Sequence, residues 1–190
     1  MGQVWVVDFE DSFTYNIAAE LEALGLECEV ISWTKLRDAQ SPLAQTLPQL
    51  ILLGPGPGHP DEYGMGPRIA TWWTTGVPMA GICLGHQFIG RLLGLKVERS
   101  QHPIHGQRVA VTAPPSWISE GIPQKLSVQR YNSLALPVTG HLPPDWEGWQ
   151  HEGEWIGLKH PRAISYQFHP ESVGTSCPSE LFRPLSRLTL

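Results

Sequence analysis

The chain has 190 residues, a length that suits one domain able to bury about 70% of its unfolded surface. Hydrophobic residues make up 41% and charged residues 16%, which marks a globular rather than a disordered chain. Thirteen Lys and Arg against eighteen Asp and Glu leave a net charge of −5 spread along the sequence, arguing against nucleic acid or an anionic membrane as main partner.

Three cysteines (Cys28, Cys83, Cys177) with no CxxC spacing fit neither a disulfide framework nor a zinc ribbon. No apolar run approaches the roughly 18–20 residues that span a bilayer. The start, Met1-Gly2-Gln3-Val4-Trp5, lacks a basic segment followed by an apolar one, so a soluble, cytoplasmic protein is expected.

Val4-Trp5-Val6-Val7-Asp8 is a continuous apolar run ending in an acid, as in a strand buried on both faces of a parallel sheet. Asp11-Ser12 offers N-cap chemistry to a helix carrying Phe13, Ile17, Leu21 and Leu24, which Gly25 ends. A strand over 27–31, a polar connection and a second buried strand at Leu50–Leu53 continue the rhythm of an open parallel sheet. Gly54-Pro55-Gly56-Pro57-Gly58-His59-Pro60 can extend neither strand nor helix, and forms a stiff loop of bare amides. Gly66-Pro67 opens a helix through Trp72 and Trp73 that Gly76 closes; being adjacent, the two tryptophans cannot share one buried face. A strand over 77–82 and a helix over 85–93 follow. Beyond residue 95, short strands at 108–112, 126–128, 155–158 and 163–168 between Pro- and Gly-rich turns read as added antiparallel structure, with a closing helix over 179–188. The expected fold is an open, mostly parallel α/β sheet flanked by helices, with antiparallel β-structure in the second half. One domain covers residues 1–190.

Gly81-Ile82-Cys83-Leu84-Gly85 sits between strand and helix and has the layout of a nucleophile elbow, with sulfur in place of oxygen. Glycines on both sides relieve the crowding of a sharp turn that lifts the cysteine to the carboxyl edge of the sheet. The helix beyond adds partial positive charge that favours thiolate and leaves the Leu84 amide free to donate. Of eight histidines, His169 stands out. Pro170 drives it toward an extended conformation, in which His169 and Glu171 would face the same way, a base and the acid that orients it. His102 and His105, three apart with no third ligand, do not suit a metal. His86 reads as a packed or hydrogen-bonded helix residue. His59, His141, His151 and His160 read as turn or surface residues.

Gly54-Pro-Gly-Pro-Gly58, Gly81-Ile-Cys-Leu-Gly-His-Gln87 and Gln167-Phe-His-Pro-Glu171 resemble the three signature segments of class I (triad) glutamine amidotransferases. The opening Asp8-Phe-Glu-Asp-Ser-Phe-Thr-Tyr-Asn16 resembles that of the small subunits of anthranilate and aminodeoxychorismate synthases. The resemblance implies hydrolysis of the glutamine side-chain amide and delivery of ammonia to a large, chorismate-binding synthase subunit, with no cofactor or metal. Carried to matching positions, Cys83 is the nucleophile, His169 the proton carrier and Glu171 its orienting acid. Gly56 and Leu84 donate the oxyanion amides, while Gln87, Ser133 and Leu134 hold glutamine. Taken alone, Gln87 would read as a solvated helix residue.

Three departures from the family pattern stand out. Phe9-Glu10 follow the first Asp where Asn and Tyr or Ser are usual; Asn132 replaces His before Ser133-Leu134; and Gln107 replaces Lys. None touches the triad. Other readings are an amidotransferase subunit for another acceptor and a non-catalytic regulatory subunit of the same fold. The signatures do not separate an anthranilate from an aminodeoxychorismate product.

Overall fold

The computed structural model describes residues 3–37 and 46–189. Met1, Gly2 and part of the polar connection, 38–45, lie outside the described residues. β1 (Val4–Asp8) leads through α1 (Thr14–Ala23) to β2 (Cys28–Ser32), the short α2 (Trp33–Arg37) and β3 (Leu50–Leu53). A 3₁₀ turn at Pro60–Tyr63, α3 (Gly66–Thr74), β4 (Met79–Ile82) and α4 (Leu84–Leu92) follow. The second half holds β5 (Glu98–Arg99), β6 (Gln107–Thr112), α5 (Pro115–Ile118), β7 (Lys125–Arg130), β8 (Leu134–Pro137), β9 (Glu147–His151), β10 (Glu154–His160), β11 (Ala163–Tyr166) and α6 (Pro178–Ser186).

The main sheet is nine-stranded, in the order β2-β1-β3-β4-β11-β10-β8-β5 with β9 on β10; β6 and β7 form a separate antiparallel pair. Pairing is parallel from β2 through β11 and antiparallel beyond it. β11 is therefore the seam. The sequence places 163–168 among antiparallel strands, but its pairing with β4 is parallel and only the β10 side is antiparallel. A turn at Pro161-Arg162 reverses the chain after β10 and lays β11 alongside β4 in the direction of the parallel core.

The central strands alternate their side chains between two cores, as the period of two requires. Val4, Val6, Leu50, Leu52, Ala80 and Ile82 join Ile17 and Leu21 of α1 and Leu181, Phe182 and Leu185 of α6. Trp5, Val7, Ile51, Leu53 and Met79 join Ile69 and Trp72 of α3 and Leu84, Phe88 and Ile89 of α4. Both faces are covered, which is why these strands read as unbroken apolar runs.

Helix α1 begins later than the Asp11-Ser12 cap predicts. Asp11 Oδ1 accepts the Phe13 amide at 2.8 Å in a tight turn, and the first helical residue, Thr14, sends its hydroxyl to Asp8 Oδ1 at 2.9 Å. Asp11 still supplies the side-chain acceptor expected of it, and its own carbonyl takes the Thr14 amide at 3.2 Å, so it caps the turn that leads into the helix rather than the first regular helical residue. Trp72 and Trp73 divide as expected of neighbours. Trp72 is buried, while half-buried Trp73 packs against Trp146 and His160 and under the Arg162 guanidinium 4.1 Å away. His151 and His160 end strands β9 and β10 rather than lying on turns, and both are half-buried. No helix among the described residues is long and apolar enough to cross a membrane.

Candidate active site

Strand order reverses at β1, whose neighbours β2 and β3 lie on opposite sides; loops leaving the carboxyl edge beside such a switch form a crevice. The loop after β3 and the elbow after β4 meet there. Cys83, between β4 and α4, has φ 54° and ψ −103°, a backbone that L-residues avoid. Neighbouring groups enforce it. The Cys83 amide donates to Tyr166 O at 2.8 Å, and Gly85 N donates to Gly54 O at 3.1 Å, tying the elbow to the glycine-proline loop. A Cβ at Gly81 would stand 2.5 Å from Gly85 O, and one at Gly85 would overlap the Leu53 carbonyl. The two glycines are thus required by close approach rather than by their own dihedrals.

Gly56 lies against the same elbow, since a Cβ there would meet Leu84 Cδ2 at 2.7 Å and Phe9 Cβ at 2.6 Å. Leu84 is the first residue of α4, so its amide has no helical carbonyl four residues back to bond. Phe9, one of the departures in the opening segment, is fully buried and packs on Phe88 and Tyr63, floor rather than surface of the crevice.

His169 Nδ1 and Glu171 Oε1 are 2.6 Å apart, and both residues are buried. The sequence brings them together by extension; the chain does it by a turn. His169 N bonds Gln129 O at 2.9 Å as an isolated bridge, and Ser172 N closes on His169 O at 3.3 Å, folding Pro170-Glu171 back. Proline supplies its fixed φ to the turn, a use as compatible with its ring as extension of the residue before it. With Nδ1 committed to Glu171, Nε2 is the nitrogen available to Cys83. Burial by itself pushes the ring toward neutrality. The charge of the Cys83 sulfur and its hydrogen bond, then the bond and charge of Glu171, outweigh this and hold His169 well above the ordinary imidazole range. Phe13 and Tyr131 flank the ring at 5.3 and 4.9 Å between centroids, leaving it little room to turn.

Gln87 is buried rather than solvated. Its Nε2 donates to Leu134 O at 3.1 Å and to Gln167 Oε1 at 3.3 Å, and its own Oε1 is buried with no partner among the described residues. This joins Gln87 to the Ser133-Leu134 segment, where Ser133 is exposed and Leu134 half-buried. Asn132, standing where the family has His, accepts from Arg130 Nε at 3.0 Å and donates to Leu134 O at 3.0 Å. A neutral imidazole offers the same one acceptor and one donor. Arg130 is itself fully buried, paired at 2.5 Å with Glu154, whose other oxygen takes the Ser100 hydroxyl. Gln107 lies exposed on β6, with its Cα paired to Arg130.

Sequence reasoning missed three groups here. Gln167 touches the sulfur, with Nε2 3.9 Å from Sγ. Thr175 Oγ1 donates to His169 O at 2.6 Å. The Arg130–Glu154 pair joins residues 24 apart in sequence, and no spacing rule could have flagged it.

His86, behind the elbow, bonds Ser165 Oγ and Trp155 O, each at 2.9 Å. Complete burial, with help from Arg130 and against the pull of the Trp155 carbonyl, lowers its pKa from 6.5 to about 3. The folded protein refuses a proton that the unfolded chain takes below about pH 6.5. Stability present above that pH is therefore lost as pH falls toward 3, by a total on the order of 5 kcal/mol. Urea midpoints at pH 7 and pH 4 should fall less steeply for His86→Gln than for the parent; equal slopes would mean that His86 is not the responsible group.

Fold and site together describe a doubly covered α/β sheet bearing a strained cysteine elbow, with a buried histidine–carboxylate pair beside it. The family described as Glutamine amidotransferase class-I matches residues 5–185. The chain belongs to the class I glutamine amidotransferase family. It is 38% identical to an aminodeoxychorismate synthase of Streptomyces griseus, over 97% of this chain but 26% of that protein. It is 35% identical to an anthranilate synthase component 2 of Pseudomonas putida, over 93% of this chain and 92% of the relative. The chain thus spans about a quarter of the first relative and nearly all of the second. The crystal structure of a glutamine amidotransferase of Thermotoga maritima superposes with a TM-score of 0.66 at 20% identity, covering 90% of this chain and 76% of that one; this likeness concerns the fold.

Proposed function

We propose that this chain, as one glutamine amidotransferase domain, hydrolyses the side-chain amide of glutamine and passes the ammonia to a large chorismate-aminating subunit in the cytoplasm. The observation that carries the reading is the Cys83 elbow beside His169–Glu171, with Gln87 Oε1, on the helix that follows the elbow, buried and without a partner among the described residues. In this reading Cys83 Sγ attacks the carboxamide carbon, and the amides of Gly56 and Leu84 receive the oxyanion. His169 Nε2 gives its proton to the departing nitrogen as the C–N bond breaks, leaving a γ-glutamyl thioester and ammonia. Water, deprotonated by the same nitrogen, then cleaves the C–S bond and releases glutamate. Glu171 keeps Nδ1 protonated and the ring aimed throughout. Gln87 Oε1 is an acceptor for a donor of the substrate, and Ser133-Leu134 closes the other side. The delivery of ammonia to chorismate rests on the component 2 relatives and on the opening segment. Ammonia is protonated and lost in neutral water, so hydrolysis gains from being coupled to a protein that captures it.

The test is glutamate release by the purified chain, alone and with a chorismate-aminating large subunit, together with mass mapping after 6-diazo-5-oxo-L-norleucine. Labelling confined to Cys83, weak turnover alone and strong turnover in the complex are expected. No label on Cys83 with the large subunit present would overturn the reading in favour of a non-catalytic role.

A further inference from the structure

Gln167 lies two residues before His169 and is fully buried. Its side-chain amide fits its space either way round by shape alone, so its orientation must come from its partners. Those partners leave one solution. The Leu134 carbonyl can only accept, so the Gln87 atom 3.1 Å from it is the NH₂ nitrogen. The same nitrogen faces Gln167 at 3.3 Å, so the Gln167 atom there is its oxygen. The remaining end of Gln167, turned to Cys83 Sγ at 3.9 Å, is therefore an NH₂ donor. A backbone carbonyl on the Ser133-Leu134 segment thus sets, through two amides, the polarity of the group that meets the sulfur.

The backbone makes this contact rigid. Tyr166 O holds the Cys83 amide, and the next residue's amide, Gln167 N, bonds Ile156 O at 3.0 Å. Donor and sulfur are fixed on adjoining pieces of sheet. An N–H donor favours a thiolate over a thiol, whose hydrogen would compete for the same space. It also leaves the sulfur lone pairs on the His169 side and toward the crevice for reaction.

We infer that Gln167 is a positioning residue for the nucleophile, donating to the Cys83 thiolate in an orientation dictated by the chain Leu134 O–Gln87–Gln167. The inference rests on the amide-hydrolysis reading only for its consequence in turnover; the sulfur contact can be tested without it.

Two variants separate the roles. Gln167→Glu keeps an oxygen for Gln87 but replaces the donor with an anion at the sulfur. Gln167→Leu removes both contacts at similar volume and serves if the glutamate variant does not fold. Cys83 alkylation by iodoacetamide at neutral pH should slow about tenfold or more in both, the size of a lost hydrogen bond to a charged group. With 6-diazo-5-oxo-L-norleucine, Gln167→Glu should lower the maximal inactivation rate with its half-saturating concentration unchanged. Gln167→Leu, which also frees Gln87, should raise that concentration as well. Parent-like alkylation in both variants would overturn the inference. So would alkylation and urea midpoint falling together in both, which would make Gln167 structural only. A parent chain that reacts with iodoacetamide but never with the glutamine analogue would sink the amide-hydrolysis reading instead, and the alkylation arm would still decide this one.

Discussion

Cys83→Ala is expected to lose glutamine hydrolysis by on the order of 10⁴-fold or more, while its urea midpoint stays close to that of the parent. In the proposed mechanism the sulfur is the attacking atom of a group that acts as a unit, so its removal leaves only binding and oxyanion stabilisation and the neighbours cannot compensate. The stability half of the expectation follows from the backbone. At φ 54° and ψ −103°, alanine carries the same Cβ and the same strain as cysteine, so the substitution neither relieves nor adds to it. Cys83→Gly differs. It should be equally inactive but more stable by about 1–2 kcal/mol, because glycine tolerates positive φ. A paired measurement of glutamate release and urea unfolding across the three proteins checks both halves. Appreciable turnover in Cys83→Ala would exclude sulfur as the nucleophile. A glycine variant no more stable than the parent would mean that the elbow is not strained.

Gly85→Ala should cost about 3 kcal/mol or more, large for a single methyl group. The added carbon falls on the Leu53 carbonyl, a backbone group at the end of a central strand, so no flexible side chain can move aside. Either α4 lifts from β3, breaking the Gly85 N–Gly54 O bond, or the strand end distorts. Gly25→Ala is the informative comparison. Its φ of 86° makes alanine unwelcome, but nothing lies within 4 Å of the new carbon, and a cost of about 1 kcal/mol is expected from conformation alone. Similar unfolding free energies for the two variants would show that α4 can shift freely, and the elbow would not be rigid.

The legible parts of the molecule are those governed by short-range rules. Val4–Asp8 and Leu50–Leu53 are strands because unbroken apolar runs of that length suit burial on both faces, and they occur where the composition requires. The elbow is readable because its glycines, cysteine and following helix are consecutive. The same rules fail where elements are short or polar. α2 has five residues, β5 two, and β9 carries Glu147, Gln150 and His151, so no periodicity can build up. The pairing of His169 with Glu171 is legible as a proximity but not in its geometry, since a proline serves an extended strand and a turn equally well.

Local chemistry along the chain marks the candidates for reaction: a cysteine between two glycines at the head of a helix, and a histidine two places from a carboxylate. It also settles the alternation of buried side chains, because strand periodicity depends on each residue and its neighbours alone. Whether those groups meet depends on which strands lie side by side, and that is a property of the packed whole. β11 docks in parallel beside β4 and so carries His169 and Gln167 to Cys83, more than eighty residues away in sequence. The donor polarity of Gln167 likewise comes from a carbonyl on a separate segment. Contacts of that range arise only when the cores on both faces of the sheet close together, since their free energy comes from surfaces that no local segment can bury on its own.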